Sequence, residues 1–286
     1  MGPGRPLGYE FLDADTLIVA DSLKGLVQVK FPKEKQQSNS AITQKDMTIT
    51  ILSNSVDGAP INYANDLDID HKNQLIYFTS STRGTVAYNA NLGHYDTMRS
   101  FMLDLYSGDV SGKLLKYNLK TKEVSVVIEG LWYANGVTLS PQNDYVLVVE
   151  TCGFRVIRKW LKSDKEEDFI SNLPGAPDGI TQSSDGNYWI SLVAPISPLL
   201  KFIGSPQSRY IMSILQFDLD ISKYFLKQWG CVIKVSADGA ILDVLIDQTG
   251  SIVSSISSVT EHDGKLFFGN LGGSFVSVYD LSKMKE

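Results

Sequence analysis

Two cysteines, three histidines and no long apolar run set the first limits on this 286-residue chain. Cys152 and Cys231 could form one disulfide. Lying on separate expected strands, however, they read as buried reduced thiols. No Asn-x-Ser/Thr sequon occurs, so glycosylation gives no sign of secretion. No apolar stretch reaches the roughly 18 residues of a spanning helix, and the opening Met1-Gly2-Pro3-Gly4-Arg5-Pro6 has no apolar signal region. Basic clusters are missing too. The net charge is -6 with a pI near 5.2, which disfavours nucleic acid as a partner. A Gly-x-Ser-x-Gly elbow, a phosphate loop and zinc spacing are all absent, so serine-nucleophile, nucleotide and zinc chemistry lack support.

What is present is repetition. With 43% hydrophobic residues the chain can bury a sizeable core. A recurrent phrase runs through it: a turn rich in Asp, Asn or Gly, a short apolar run, then a small polar residue. The runs are Leu17-Ile18-Val19-Ala20, Leu75-Ile76-Tyr77-Phe78-Thr79, Tyr145-Val146-Leu147-Val148-Val149, Tyr188-Trp189-Ile190-Ser191 and Lys265-Leu266-Phe267-Phe268-Gly269. Turn residues that tolerate positive φ, followed by aromatic and β-branched residues, predict hairpins entering buried strands. Third strands follow at Gly25–Phe31, Gly112–Tyr117 and Arg155–Trp160. Such spacing fits one four-stranded propeller blade per unit, with insertions. Tyr95–Tyr106 and Pro198–Trp229 break the rhythm with apolar residues at helical spacing and read as excursions from a propeller face. A helix packed over the channel is favoured for the second, with a membrane-skimming patch as the alternative. Lys162–Asp168 is expected to be a solvated loop of charges.

Three phrases enter repeats at equivalent places: Tyr63-Ala64-Asn65-Asp66, Tyr133-Ala134-Asn135-Gly136 and Ala176-Pro177-Asp178-Gly179. Each puts a short polar side chain just before an inner strand, a position that faces the axis of a propeller. Asn65, Asn135 and Asp178 are therefore expected to converge. Amide and carboxylate oxygens together suit Ca²⁺. Any one of them alone reads equally as a turn residue at a strand entry.

The ordered motifs resemble one family. Gly4-Arg5-Pro6-Leu7-Gly8, Val19-Ala20-Asp21-Ser22-Leu23-Lys24-Gly25-Leu26 and Asn65-Asp66-Leu67-Asp68-Ile69 come first. Gly112-Lys113-Leu114-Leu115-Lys116-Tyr117, Asn135-Gly136-Val137-Thr138-Leu139-Ser140, Glu150-Thr151 and Leu173-Pro174-Gly175-Ala176-Pro177-Asp178 then follow in the order seen in strictosidine-synthase-like proteins. The resemblance covers nearly the whole chain. It implies an all-β, six-bladed β-propeller akin to the paraoxonases, in one domain over 1–286, with short helical insertions. The family's first blade, with its Gly-Pro-Glu phrase, is incomplete or missing here, so an N-terminal truncation relative to the family is expected. Relatives often carry an N-terminal anchor and reside in the secretory pathway; membrane association of this chain is expected only through such a missing anchor.

Departures from the family pattern bear on activity. The resemblance places Ser257 where the alkaloid synthase carries a Glu, and serine cannot accept a proton in that condensation. Strictosidine formation is therefore not expected. Leu7 stands at the place of the lactonase His, and Pro177-Asp178-Gly179 replaces a Pro-Asp-Asn. His71 and His262 fall in hairpin turns, and His94 sits in a loop. The expected function is a calcium-dependent hydrolase of ester or lactone bonds in small molecules, with Asn65, Asn135 and Asp178 as ligands. Asp178 doubles as the catalytic base, and Glu150 is a weaker polar candidate. The competing expectation is a catalytically inactive propeller whose metal is structural and whose faces bind a partner.

Overall fold

A computed structural model describes residues 3–33, 41–91, 93–196, 228–271 and 273–285. They divide into two compact units, Met1–Ser100 with Val110–Ala134, and Phe101–Asp109 with Asn135–Glu286. In the first unit, β1 (Pro6–Asp13), β2 (Thr16–Asp21), β3 (Gly25–Lys30) and β4 (Thr48–Ser53) form an antiparallel meander. A short hairpin, β5 (Ser55–Val56) with β6 (Ala59–Pro60), leads to a second four-stranded sheet. That sheet takes β7 (Ala64–Asp70) and β8 (Leu75–Ser80). After the hairpin of β9 (Tyr88–Asn89) and β10 (His94–Tyr95) and the helix α1 (Thr97–Ser107), it is completed by β11 (Gly112–Asn118) and β12 (Val124–Leu131).

The second unit holds three sheets in the same order of strands. One comprises β13 (Ala134–Leu139), β14 (Tyr145–Glu150), β15 (Arg155–Trp160) and β16 (Glu166–Ile170). The next comprises β17 (Gly175–Gln182), β18 (Tyr188–Pro195), β19 (Gly230–Val235) and β20 (Ile241–Asp247). The last has three strands, β21 (Ile256–His262), β22 (Lys265–Asn270) and β23 (Ser277–Asp280).

Repeated up-and-down sheets of this kind are propeller blades, and every recurrent apolar run became the second strand of one. The described residues form five such sheets, against the six of the ring that the family resemblance implies. The second strands are the most apolar because both their faces are covered: Val146, Leu147, Val148 and Val149 are fully buried. Complete burial of a Val or Leu side chain contributes about 1.5–3 kcal/mol. The first unit's core gathers Ile18, Leu26, Ile69, Phe78 and Leu115. The second unit's core gathers Leu147, Ile180, Tyr188, Ile190 and Ile233.

The predicted helical excursion at Tyr95–Tyr106 is α1, bounded by local chemistry. Asp96 Oδ1 accepts from the Arg99 amide at 2.9 Å, an N-cap. At the other end, the Gly108 N–H donates to Asp104 O at 2.8 Å with φ of 65°. Lys162–Asp168 differs from its expectation as a loop, since Glu166–Asp168 begins β16. Arg158 and Arg155 on the neighbouring strand meet Glu167 and Asp168, and cross-strand charge pairing carries the charged segment into the sheet. The Pro198–Trp229 excursion lies outside the described residues except for Gln228 and Trp229. No helix among the described residues is long and apolar enough to cross a membrane.

Candidate functional site

The three predicted polar residues lie within the first strands of their sheets, not just before them. Asn65 is the second residue of β7, Asn135 the second of β13, and Asp178 the fourth of β17. The strands stay in their sheets by slipping register. Between Ala64↔Ser80 and Leu67↔Phe78 the pairing skips Asn65 and Asp66. Between Pro177↔Leu192 and Ile180↔Ile190 it skips Asp178 and Gly179. Such bulges re-aim side chains, which is how they come to flank functional sites.

Asn135 and Asp178 meet in the second unit. Asn135 is buried, and its Nδ2 donates both to Thr151 Oγ1, at 3.1 Å, and to Asp178 Oδ1. Backbone proximity brings them together. A Cβ on Gly136 would stand 2.6 Å from Asp178 O and 2.9 Å from Gly179 Cα, so β13 and β17 touch main chain to main chain. Gly179 repeats this against β21, where a Cβ would stand 2.7 Å from Ser257 O. A side chain at Gly179 would therefore press on the backbone of β21. Gly179 N–H donates to Ser191 Oγ at 2.9 Å.

In the first unit Asn65 is half-buried, and its Nδ2 donates to Ser81 Oγ at 2.9 Å. Ser81 Oγ in turn donates to Ala134 O at 2.6 Å. Asn65→Ser81 and Asn135→Thr151 are the same arrangement, an amide on the first strand held by a hydroxyl sixteen residues later. Inspection of the phrases one at a time misses these hydroxyls. The recurrent spacing is the signal that would have found them.

Glu150 is buried, and its Oε2 accepts from Arg155 Nε, whose guanidinium also meets Asp168 at 2.8 Å. Its charge is therefore balanced within β14–β16. Cys152 and Cys231 are buried free thiols. Burial pushes the Cys152 thiol well up, helped by the Asp104 and Glu150 carboxylates, and pushes Cys231 up to about 11. His262 and His94 are exposed, and no histidine enters the Asn135–Asp178 contact.

A second feature of the first unit was not foreseen. β1 lies against β7, and a Cβ on Gly8 would stand 2.5 Å from Asp66 Oδ1. Two residues on, the Glu10 carboxyl is pushed up to about 8, mainly by burial and next by the Asp68 carboxylate, with Asp66 adding to it. His71 Nε2 stands 3.6 Å from Glu10 Oε1.

Among the described residues no group of three His, Cys, Asp or Glu side chains is arranged to hold a metal. Any cation here would rest on amide and hydroxyl oxygens with Asp178 as the carboxylate. That hard, weakly charged donor set fits Ca²⁺ and is poorly suited to zinc.

The family described as Strictosidine synthase matches residues 65–164, the span holding the Asn65 and Asn135 phrases. An adipocyte plasma membrane-associated protein from Rattus norvegicus is 32% identical over 98% of this chain and 71% of its own length. A protein of Arabidopsis thaliana, strictosidine synthase-like 3, is 31% identical over 97% of this chain and 67% of its own. Solved structures share the fold at low identity. A gluconolactonase from Xanthomonas campestris is 14% identical with a TM-score of 0.54, covering 88% of this chain and 64% of that one. Regucalcin from Agrobacterium tumefaciens, a calcium-binding protein, is 12% identical with a TM-score of 0.55, covering 93% and 68%. A chain of a nidogen/laminin complex is 9% identical with a TM-score of 0.58, covering 97% and 76%. The ordered motifs, the repeated meander sheets and identity above 30% along nearly its whole length together place the chain in the strictosidine synthase-like family.

Proposed function

We propose that the chain is a calcium-dependent hydrolase of ester or lactone bonds in small molecules, with Asn65, Asn135 and Asp178 as the metal's ligands. The observation that carries this reading is the contact between Asn135 and Asp178, two side chains from separate sheets aimed at one point by a bulge and a glycine. Bound there, Ca²⁺ would supply a hard Lewis acid for an acyl carbonyl. The chain's own residues supply the rest. Thr151 and Ser81 fix the rotation of the two amides. Asp178 would take a proton from an attacking water. Thr151, which holds the Asn135 amide, is itself buried. The retained Asn65, Asn135 and Asp178 favour this reading, whereas Ser257 and Leu7, where the family resemblance places a Glu and a His, weigh toward the non-catalytic alternative. The gluconolactonase and the calcium-binding regucalcin show that this fold accommodates both properties in other proteins.

The saturated Glu150–Arg155–Asp168 network favours a second reading, a non-catalytic propeller with a structural ion. The fold alone cannot choose, since propellers serve unrelated functions, as the nidogen/laminin chain illustrates. One experiment separates the two: calcium titration by calorimetry together with a panel of aryl esters and lactones, with and without EDTA. Turnover abolished by EDTA, with both calcium binding and turnover lost in Asn135→Ala and Asp178→Ala, supports the hydrolase. Calcium binding and EDTA-sensitive stability without turnover support the scaffold. Wild-type calcium affinity in both variants would remove the site.

A further inference from the structure

The register slip at Asp178 occurs once more in the second unit, at a residue the site does not yet include. β21 pairs Ile256 with Asn270 and then Ser258 with Gly269, so the ladder skips Ser257. A skipped residue on a bulged first strand is what Asn65 is in β7 and Asp178 is in β17. Ser257 also lies beside the site. A Cβ on Gly179, the residue after Asp178, would stand 2.7 Å from Ser257 O and 3.3 Å from Ser258 Cα, so β17 and β21 touch there.

The hydroxyl sets Ser257 apart. At the other polar first strands the nearby hydroxyl is committed to the protein. Ser81 Oγ donates to Ala134 O while holding Asn65, and Thr151 Oγ1 accepts from Asn135. Ser191 Oγ accepts from the Gly179 N–H at 2.9 Å and donates to Gly179 O at 3.3 Å. β22 offers no such hydroxyl at the β21 bulge. Gly269 stands there, and Asn270 turns its amide to Phe275 O and the Gly273 N–H in the β22–β23 loop. The bulged residue brings the hydroxyl instead. Ser257 is half-buried, and its Oγ has no hydrogen-bond partner among the described residues. A Cβ on Gly269 would touch that oxygen at 3.6 Å, so the glycine leaves it uncovered.

A serine does not take a proton as a carboxylate does, but its hydroxyl donates and accepts at once, which suits a neutral hydroxyl partner. We infer that Ser257 is a positioning residue whose Oγ bonds a hydroxyl next to the acyl carbonyl, so that the site favours neutral 2-hydroxy esters and lactones. This rests on the site proposed above, with the carbonyl itself at the metal. The test titrates the full chain, in calcium, with 2-hydroxy-γ-butyrolactone and with γ-butyrolactone, followed by ligand-observed NMR. The hydroxylated ring should bind about fivefold more tightly, the gain of one neutral hydrogen bond. Ser257→Ala should bring the ratio of the two affinities close to one, and Ser257→Thr, which keeps the hydroxyl, should restore it. No binding of either lactone, no preference in the wild type, a preference kept in Ser257→Ala or one lost equally in Ser257→Thr would each overturn the inference. Ring opening is followed in the same spectra. Preference without ring opening upholds the role of Ser257 and removes the hydrolase, whereas ring opening without preference does the reverse.

Discussion

Asn135 Nδ2 donates to Thr151 Oγ1 across 3.1 Å, helping to fix an amide that also donates to Asp178. Asn65 and Ser81 repeat the bond at 2.9 Å in the first unit. Because Thr151 is buried, a lost acceptor there cannot be replaced by solvent. Thr151→Val, which keeps the shape and removes the hydroxyl, should lower the unfolding free energy by about 1 kcal/mol in urea titrations. Thr151→Ser should sit close to wild type. Equal stabilities for all three proteins would mean the hydroxyl does not hold the amide.

Gly136 tests the close approach of β13 and β17. Its absent Cβ would meet main-chain atoms of Asp178, Gly179 and Ile180, none of which can swing aside as a flexible side chain would. Gly136→Ala should cost about 1–3 kcal/mol by overpacking. The same change at Gly84, where the nearest atom is the Thr82 hydroxyl at 3.3 Å, should cost less. Thermal melts of the two variants provide the comparison, and a milder effect at Gly136 would contradict the packing described.

Removing either partner of Glu150 and Arg155 should have unequal effects. Arg155→Met strips a buried carboxylate of its guanidinium, which should cost about 3 kcal/mol. Glu150→Gln leaves a partly exposed Arg155 that keeps Asp168, so its cost should be clearly smaller. Denaturant unfolding of both variants checks the order, and the reverse order would show that Glu150 is adequately held without Arg155.

Glu10 makes a pH prediction. Its carboxyl titrates near 8 in the folded protein, against 4.5 as the ordinary value. Between those values the folded chain retains a proton that the unfolded chain releases, so rising pH favours unfolding. The contribution from Glu10 is therefore greatest near pH 4.5, declines up to about pH 8 and is flat above it. Glu10→Gln should flatten this part of the stability profile, with its gain over wild type greatest at the alkaline end. Parallel melting curves for wild type and variant across that range would contradict the shared environment of Glu10 and Asp68.

The sequence made the sheets legible because each second strand is a dense apolar run with turn residues in front, as in Asn143-Asp144 before Tyr145–Val149. It also singled out Asn65, Asn135 and Asp178, since short polar residues recur at one place in the repeat. What it concealed depends on contacts between sheets. Gly136 and Gly179 read as turn residues, yet their role is to let neighbouring backbones touch. Glu10 and Asp68 are far apart in the chain, and only the packing of β1 on β7 gives Glu10 its unusual proton affinity. Lys162–Asp168 misled for a related reason. A run of charges looks solvated until a neighbouring strand supplies Arg155 and Arg158 to pair with it.

Both thiols lie in the second unit, Cys152 between β14 and β15 and Cys231 on β19, and the first unit has no cysteine. Buried and held protonated, neither sulfur can meet an alkylating reagent while its sheet is intact. Alkylation with a fluorescent maleimide therefore acts as an endogenous clock for one half of the molecule. Its rate at each sulfur, resolved by peptide mapping, reports how often the second unit opens, while the first unit is invisible to the same reagent.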